Sequence, residues 1–178
     1  MTSHDGSGTG KAAVSASTAL RLTWTLTGRG WAECVVEAEA VRVELTASYM
    51  SSAPEDLLTA VARLITDEPE TRLHFVQFEA EPTAYRWLLS RKGDTVWLRL
   101  LEMRRGNDHD AAGSELWSGA VSLDRLARAA VRCFDGIART HGEDEYRDRW
   151  GRDFPRNELE AVRHRWRVWQ ARRCADES

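Results

Sequence analysis

The stretch LRLTWTLTGRGWAECVVEAEAVRVEL, residues 20–45, decides the fold. Leu20, Leu22, Trp24 and Leu26 alternate with Arg21, Thr23 and Thr25, the period of a strand with one buried face. Gly28-Arg29-Gly30 reverses the chain. If Thr27 faces Trp31, Leu26 pairs with Ala32, Trp24 with Cys34 and Leu22 with Val36, so the apolar face runs on across the turn. A second reversal at Glu39-Ala40 sets Val36 beside Val43 and Cys34 beside Leu45. Three antiparallel strands thus agree on one face.

That face needs a cover, and the next segment supplies it. Ser52, Pro54 and Glu55 match a capping box with proline in the first turn, and Leu57, Leu58, Val61, Leu64 and Ile65 follow at helical spacing up to about Asp67 and Pro69. A second meander runs from about 72 to 103. Reversals centred on Pro82-Thr83 and on Lys92-Gly93, a type I′ turn, predict Phe78 opposite Trp87, Val76 opposite Leu89 and Trp87 opposite Leu98. On the other face the same register sets Glu79 opposite Arg86, and Arg86 opposite Arg99.

After the polar loop 104–115 the sequence predicts a short strand around Leu116-Trp117. Ser122 then caps an amphipathic helix whose stripe includes Leu123, Leu126, Val131, Phe134 and Ile137, stopping at Gly142. An acidic connector, EDEYRDRW, and Phe154-Pro155 precede a last helix from about Asn157 to Arg173. The expected class is α+β: an antiparallel sheet of about six strands in a βββα-βββα-α order, with the helices packed on one face. Residues 19–175 read as a single domain of a size that buries roughly 70% of its unfolded surface. Residues 1–18, rich in Gly, Ser, Thr and Ala, read as a disordered tail.

The composition is ordinary for a globular chain, and the net charge of −3 gives no general attraction to nucleic acid or membrane. Only Lys11 and Lys92 are lysines, so the cations are nearly all arginine, which forks onto carboxylates and stacks on rings. Cys34, Cys133 and Cys174 are widely spaced and odd in number, which argues against a disulfide framework or a cysteine zinc site and predicts free thiols in a reducing cytoplasm. No signal-peptide pattern and no run of about 20 apolar residues is present, so a cytoplasmic protein is expected.

Several residues invite a chemical reading. Glu79 and Glu81, two apart on a strand, share a face about 7 Å apart, a spacing open to acid and base roles. However, Arg86 would hold Glu79 ionised, and Glu81 sits at a turn, so an ion pair is the simpler expectation. Arg86 against Arg99 is unfavourable unless an anion neutralises them. With Trp97 beside them, this face carries the residue types enriched at binding hot spots, and Arg86, Trp97 and Arg99 are the expected partner-binding residues. Asp108-His109-Asp110 resembles the start of a calcium loop, but Ala112 and Gly119 stand where ligands are required, so a solvated loop is expected and no metal site is assigned. His141 is placed at a helix C-terminus and His74 in the core. The last helix carries six arginines against two glutamates between Arg156 and Arg173. Interleaved with tryptophan these arginines offer a nucleic-acid surface, although Leu159, Val162, Trp166 and Trp169 form a stripe better suited to docking. No Walker loop, nucleophile elbow, dinucleotide fingerprint or zincin helix occurs, and no cofactor is implied.

In FEAEPTAYRW (78–87) and HGEDEYRDRWGRDFPRNEL (141–159) the chain resembles a family of uncharacterised actinobacterial proteins, a likeness that implies lineage and no activity. At fold level it is also similar to bacterial immunity and secretion-chaperone proteins, which act by binding another protein. The leading expectation is a non-enzymatic protein-binding protein working through the second sheet face. The alternatives are an enzyme using Glu79 and Glu81, and nucleic-acid binding through the last helix.

Overall fold

The computed structural model describes residues 19–66 and 72–176; the tail expected at 1–18 lies outside the described residues. The chain forms β1 (Arg21–Gly28), β2 (Trp31–Ala38), β3 (Val41–Ser48), α1 (Ala53–Thr66), β4 (His74–Glu79), β5 (Ala84–Lys92), β6 (Thr95–Met103), a 3-10 turn (Asp110–Ala112), β7 (Ser114–Ser122), α2 (Leu123–Trp150) and α3 (Arg156–Asp176). The class is α+β, with all strand pairs antiparallel. Among the described residues seven strands lie in two sheets, β1-β2-β3 and β4-β5-β6-β7, where a single sheet of about six was expected. Between the two sheets, the Glu79 N–H at the end of β4 donates to the Ser51 hydroxyl (3.2 Å) just past β3.

The first meander pairs as its alternation predicts: Leu22 with Val36, Trp24 with Cys34 and Leu26 with Ala32, then Val36 with Val43 and Cys34 with Leu45. Only the turn differs, since Thr27 bulges out and Gly28 meets Trp31.

The second meander is shifted by two residues at each hairpin. Phe78 faces Tyr85, Val76 faces Trp87, Trp87 faces Leu100 and Leu89 faces Leu98. A two-residue hairpin turn needs positive φ at its first central position, which proline cannot adopt. The first loop therefore widens to Ala80–Thr83. The second slides to Gly93-Asp94, so that Gly93 (φ 57°) takes the position where a type II′ turn wants glycine. A shift of two keeps every side chain on its expected face but replaces its partner opposite.

One core joins both sheets to the helices. The Trp24 ring packs edge-on against Phe78 (5.7 Å) and Trp150 (5.4 Å) and also meets Phe134 (6.0 Å), while Phe78 meets Trp87 (5.7 Å). Contacts with elements distant in sequence thus converge on one indole. The Ser122 hydroxyl caps α2 by accepting from the Arg125 N–H, as expected. Ser52, by contrast, uses its hydroxyl to accept from Arg152 (2.5 Å). The last carbonyls of α1 are satisfied by distant arginines: Arg91 donates to Leu64 and Ile65, and Arg165 to Ala62.

Gly142 (φ 70°) breaks the helical path where a stop was expected, but α2 resumes beyond this kink. The stretch read as an acidic connector is helical and buries Tyr146 and Trp150 in the core. Cys34 and Cys133 are buried free thiols, and burial pushes Cys133 up to about 12, far from thiolate reactivity. Among the described residues no helix is long and apolar enough to cross a membrane.

Candidate interaction face

The outer face of the four-stranded sheet divides into two halves. At one end, Ala84, Leu88, Leu101 and Met103 form a small second core, and the loop after β6 folds back over it. The approach is close at Gly113, where an added Cβ would lie 2.6 Å from the Met103 sulfur and 3.2 Å from the Leu101 Cβ. The loop keeps its own residues exposed or half-exposed, as expected, and also forms a lid over apolar side chains.

Arg86 fastens that lid. It is 5% exposed, and its guanidinium makes five hydrogen bonds. Nε (3.1 Å) and Nη2 (2.7 Å) donate to Gln77 Oε1, and Nη2 also donates to the Gly106 carbonyl (2.8 Å). Nη1 donates to the Asp108 carbonyl (2.8 Å) and to Asp110 Oδ1 (2.6 Å). A buried guanidinium is tolerable only when its donors are matched in this way.

The expectation that Arg86 stands opposite Arg99 on an open surface is thus corrected. The two-residue register shift puts Leu101 opposite Arg86 and Leu88 opposite Arg99, and the lid covers Arg86. Asp108 and Asp110 are acceptors for that arginine. Among the described residues no group of three potential metal-ligating side chains is assembled.

The carboxylates are separated in role. Glu79 faces Ala84 rather than Arg86, and its Oε1 accepts from Gln77 Nε2 (2.5 Å), so Gln77 links it indirectly to the guanidinium. An added Cβ at Gly106 would lie 2.8 Å from both Glu79 oxygens, so the lid presses against this carboxylate. Glu81 sits exposed in the hairpin turn at φ 32°. The direct Glu79–Arg86 ion pair expected from the register is therefore replaced by a link through Gln77.

The other half of the face is uncovered among the described residues. Leu73 (57% exposed) and Phe75 (54%) stand at the start of β4, and Trp97 (42%) lies across the sheet on β6. Phe75, Leu88, Arg99 and Ser118 form one cross-strand row, and Ser90, Trp97 and Ala120 fall in the next. Arg99 is half exposed and reaches Glu115 (2.5 Å). The Arg86 guanidinium lies 4.8 Å from the centre of the Phe75 ring and supports it from the lid side. Sequence reasoning found Trp97 and Arg99 but missed Leu73 and Phe75. The available signal was that β4 carries large apolar side chains at successive positions, so both of its faces are apolar.

The last helix docks as its stripe suggested. Leu159 and Val162 are buried, and Trp166 Nε1 donates to Asp124 (3.0 Å). Its arginines are largely engaged: Arg156 with Glu143, Arg163 with Asp135 and Arg173 with Asp94. His74 is buried on the apolar face of β4, and His141 Nδ1 meets Glu145 (3.0 Å) across the Gly142 kink.

No family model, curated protein or solved structure matches this chain.

Proposed function

We propose that the protein is a non-enzymatic binding protein that seats another protein on the open end of the four-stranded sheet, against Leu73, Phe75, Trp97 and Arg99. The observation that carries this reading is the exposure of Phe75 and Trp97 on one side of a hydrogen-bonded sheet, with Leu73 exposed just before β4, while the chain covers the other end of that side with its own lid. Contiguous exposed apolar surface of this kind favours association, and tryptophan with arginine is the composition of binding hot spots. The sheet backbone and the Arg86 guanidinium behind Phe75 hold the surface in shape before a partner arrives, which lowers the ordering cost of association. The partner expected is one that presents apolar side chains flanked by polar groups for the rim formed by the Arg99–Glu115 pair (2.5 Å).

The test is a photo-crosslinking residue placed at position 97 and, as a control, at the exposed position 29 on the opposite sheet, followed by crosslinking in native cells. A discrete protein adduct from position 97, lost when Phe75→Asp is added to a variant that still melts cooperatively, supports the reading. Adducts equal at both positions, or unaffected by Phe75→Asp, would sink it.

A further inference from the structure

A second surface lies away from that face, in the groove between β1 and the first half of α2. Its cavity volume is about 1000 Å³, and at Leu22, Thr23 and Arg132 it runs on into a smaller one of about 370 Å³. Arg125, Arg128 and Arg132 line it from the helix and Arg21 from the strand. The groove also holds three carboxylates, two of which are engaged. Glu37 meets Arg42 (3.2 Å) and Arg21 (3.9 Å), and Asp124 accepts from Arg128 (3.0 Å), Trp166 (3.0 Å) and Gln170 (3.0 Å). Glu39 lies at the turn beyond β2. Arg125 and Arg132, both exposed, have no carboxylate partner among the described residues. Seven residues apart, they stand two helical turns, or roughly 10 Å, from each other along the groove.

The strand wall adds a second feature. β1 is the outer strand of its sheet, and the Leu26 carbonyl points away from β2, since it accepts from Arg149 (2.7 Å). By the alternation of a strand, the main-chain groups of Trp24 and Leu22 point the same way. Trp24 faces Cys133 of α2 across the smaller part of the groove. Leu22 lines the groove. An unpaired strand position beside two uncommitted arginines accommodates a chain that is itself extended and anionic. In such a chain alternate side chains recur about every 7 Å on one side, so two of them span the roughly 10 Å between Arg125 and Arg132 within the reach of the arginine side chains.

We infer that the groove between β1 and α2 is a binding site for an extended acidic peptide, paired through its main chain to β1 at Leu22 and through its carboxylates to Arg125 and Arg132. This site is independent of the sheet face proposed above, and neither requires the other.

The probe is a fluorescent peptide of alternating Glu and Thr, followed by anisotropy against the full chain at about 50 mM salt, where exposed charge pairs are least screened. Three results together are expected: saturable binding, weakening of about tenfold or more with the double variant Arg125→Gln/Arg132→Gln, and comparable weakening when alternate peptide amides are N-methylated. The N-methylated arm leaves the charges and the protein untouched, so it decides the strand pairing even if the double variant folds poorly. No saturation at about 1 mM peptide overturns the proposal, as does binding indifferent to N-methylation or undiminished in a double variant that melts cooperatively. Equal or tighter binding of the corresponding Lys and Thr peptide, or of oligothymidine, would overturn the assigned ligand class.

Discussion

Arg86 lies behind the ring of Phe75, at 4.8 Å from its centre, while its donors reach forward to Gln77 and to the lid at Gly106, Asp108 and Asp110. One side chain thus closes one half of the sheet face and supports the other. Arg86→Met removes the bonds but keeps much of the volume, leaving the Gly106 and Asp108 carbonyls without their donor. The expected loss in denaturant melts is about 2–4 kcal/mol, with faster tryptic cleavage after Arg104 or Arg105 in the loosened lid. Arg86→Lys should restore little, because an ammonium cannot fork to acceptors on three sides. Unchanged melting and cleavage in the Met variant would mean that the lid is held by its apolar contacts alone.

The faces were legible in the sequence and the pairings only partly so, for one geometric reason. Side-chain alternation has a period of two, so it fixes which face a residue occupies and is blind to a slip of two. The slip was set by Pro82 and Gly93, through the φ each can adopt. That blindness left Phe78, Trp87 and Leu89 correctly in the core while removing Arg99 from opposite Arg86. β7 was recognised only around Leu116-Trp117 because its pairing is irregular there: Leu100 pairs with Trp117 but Leu101 with Glu115, so the alternation breaks mid-strand. EDEYRDRW hid its helix behind six charges, although Tyr146 and Trp150 are four apart, the spacing of one helical face. The lid was not legible at all, since nothing local marks a polar loop as folding back over a distant buried arginine.

Asp124 gathers donors from Arg128, Trp166 and Gln170, joining α2 to α3. Partial burial pushes its carboxyl up, but these three bonds outweigh burial and hold it below the usual range. A carboxylate depressed in the folded state stabilises the fold above its unfolded pKa of about 3.9 and loses that contribution as pH falls through the folded value. Asp124→Asn should therefore cost about 1–2 kcal/mol at neutral pH, with the difference from the parent chain shrinking below about pH 3.9. A cost independent of pH would show that the charge contributes nothing.

Glu55 predicts the opposite sign. Desolvation pushes its carboxyl up, and the lowering by its own backbone N–H and by Arg152 does not compensate. Its Oε2 is buried without a hydrogen bond in the structure. A carboxyl raised in the folded state binds a proton more readily there than in the unfolded chain, so stability falls as pH rises from the unfolded value of about 4.3 through the folded one. Glu55→Gln should then melt higher than the parent at pH 7 and level with it under acid conditions. A Gln variant that melts lower at pH 7 would place Glu55 in a stabilising pair with Arg152.

Tyr146 is fully buried, and its hydroxyl makes no hydrogen bond in the structure, while its ring packs edge-on against Phe154 at 5.3 Å. The two parts of the side chain act in opposite directions. The ring buries apolar area in the seam between α2 and the segment leading to α3, whereas the hydroxyl gives up its bonds to water and gains none. Burial, with the Glu55 carboxylate nearby, pushes the phenol well above its ordinary pKa, so it stays neutral around neutral pH. Tyr146→Phe removes only the part that opposes folding and keeps the packing. It should raise stability by about 1 kcal/mol, with no dependence on pH between 5 and 9. Tyr146→Leu, which also removes the ring, should lower it. A Phe variant less stable than the parent would require a bonding partner for the hydroxyl in solution, and a Leu variant of equal stability would show that the edge-on contact with Phe154 adds nothing to the core.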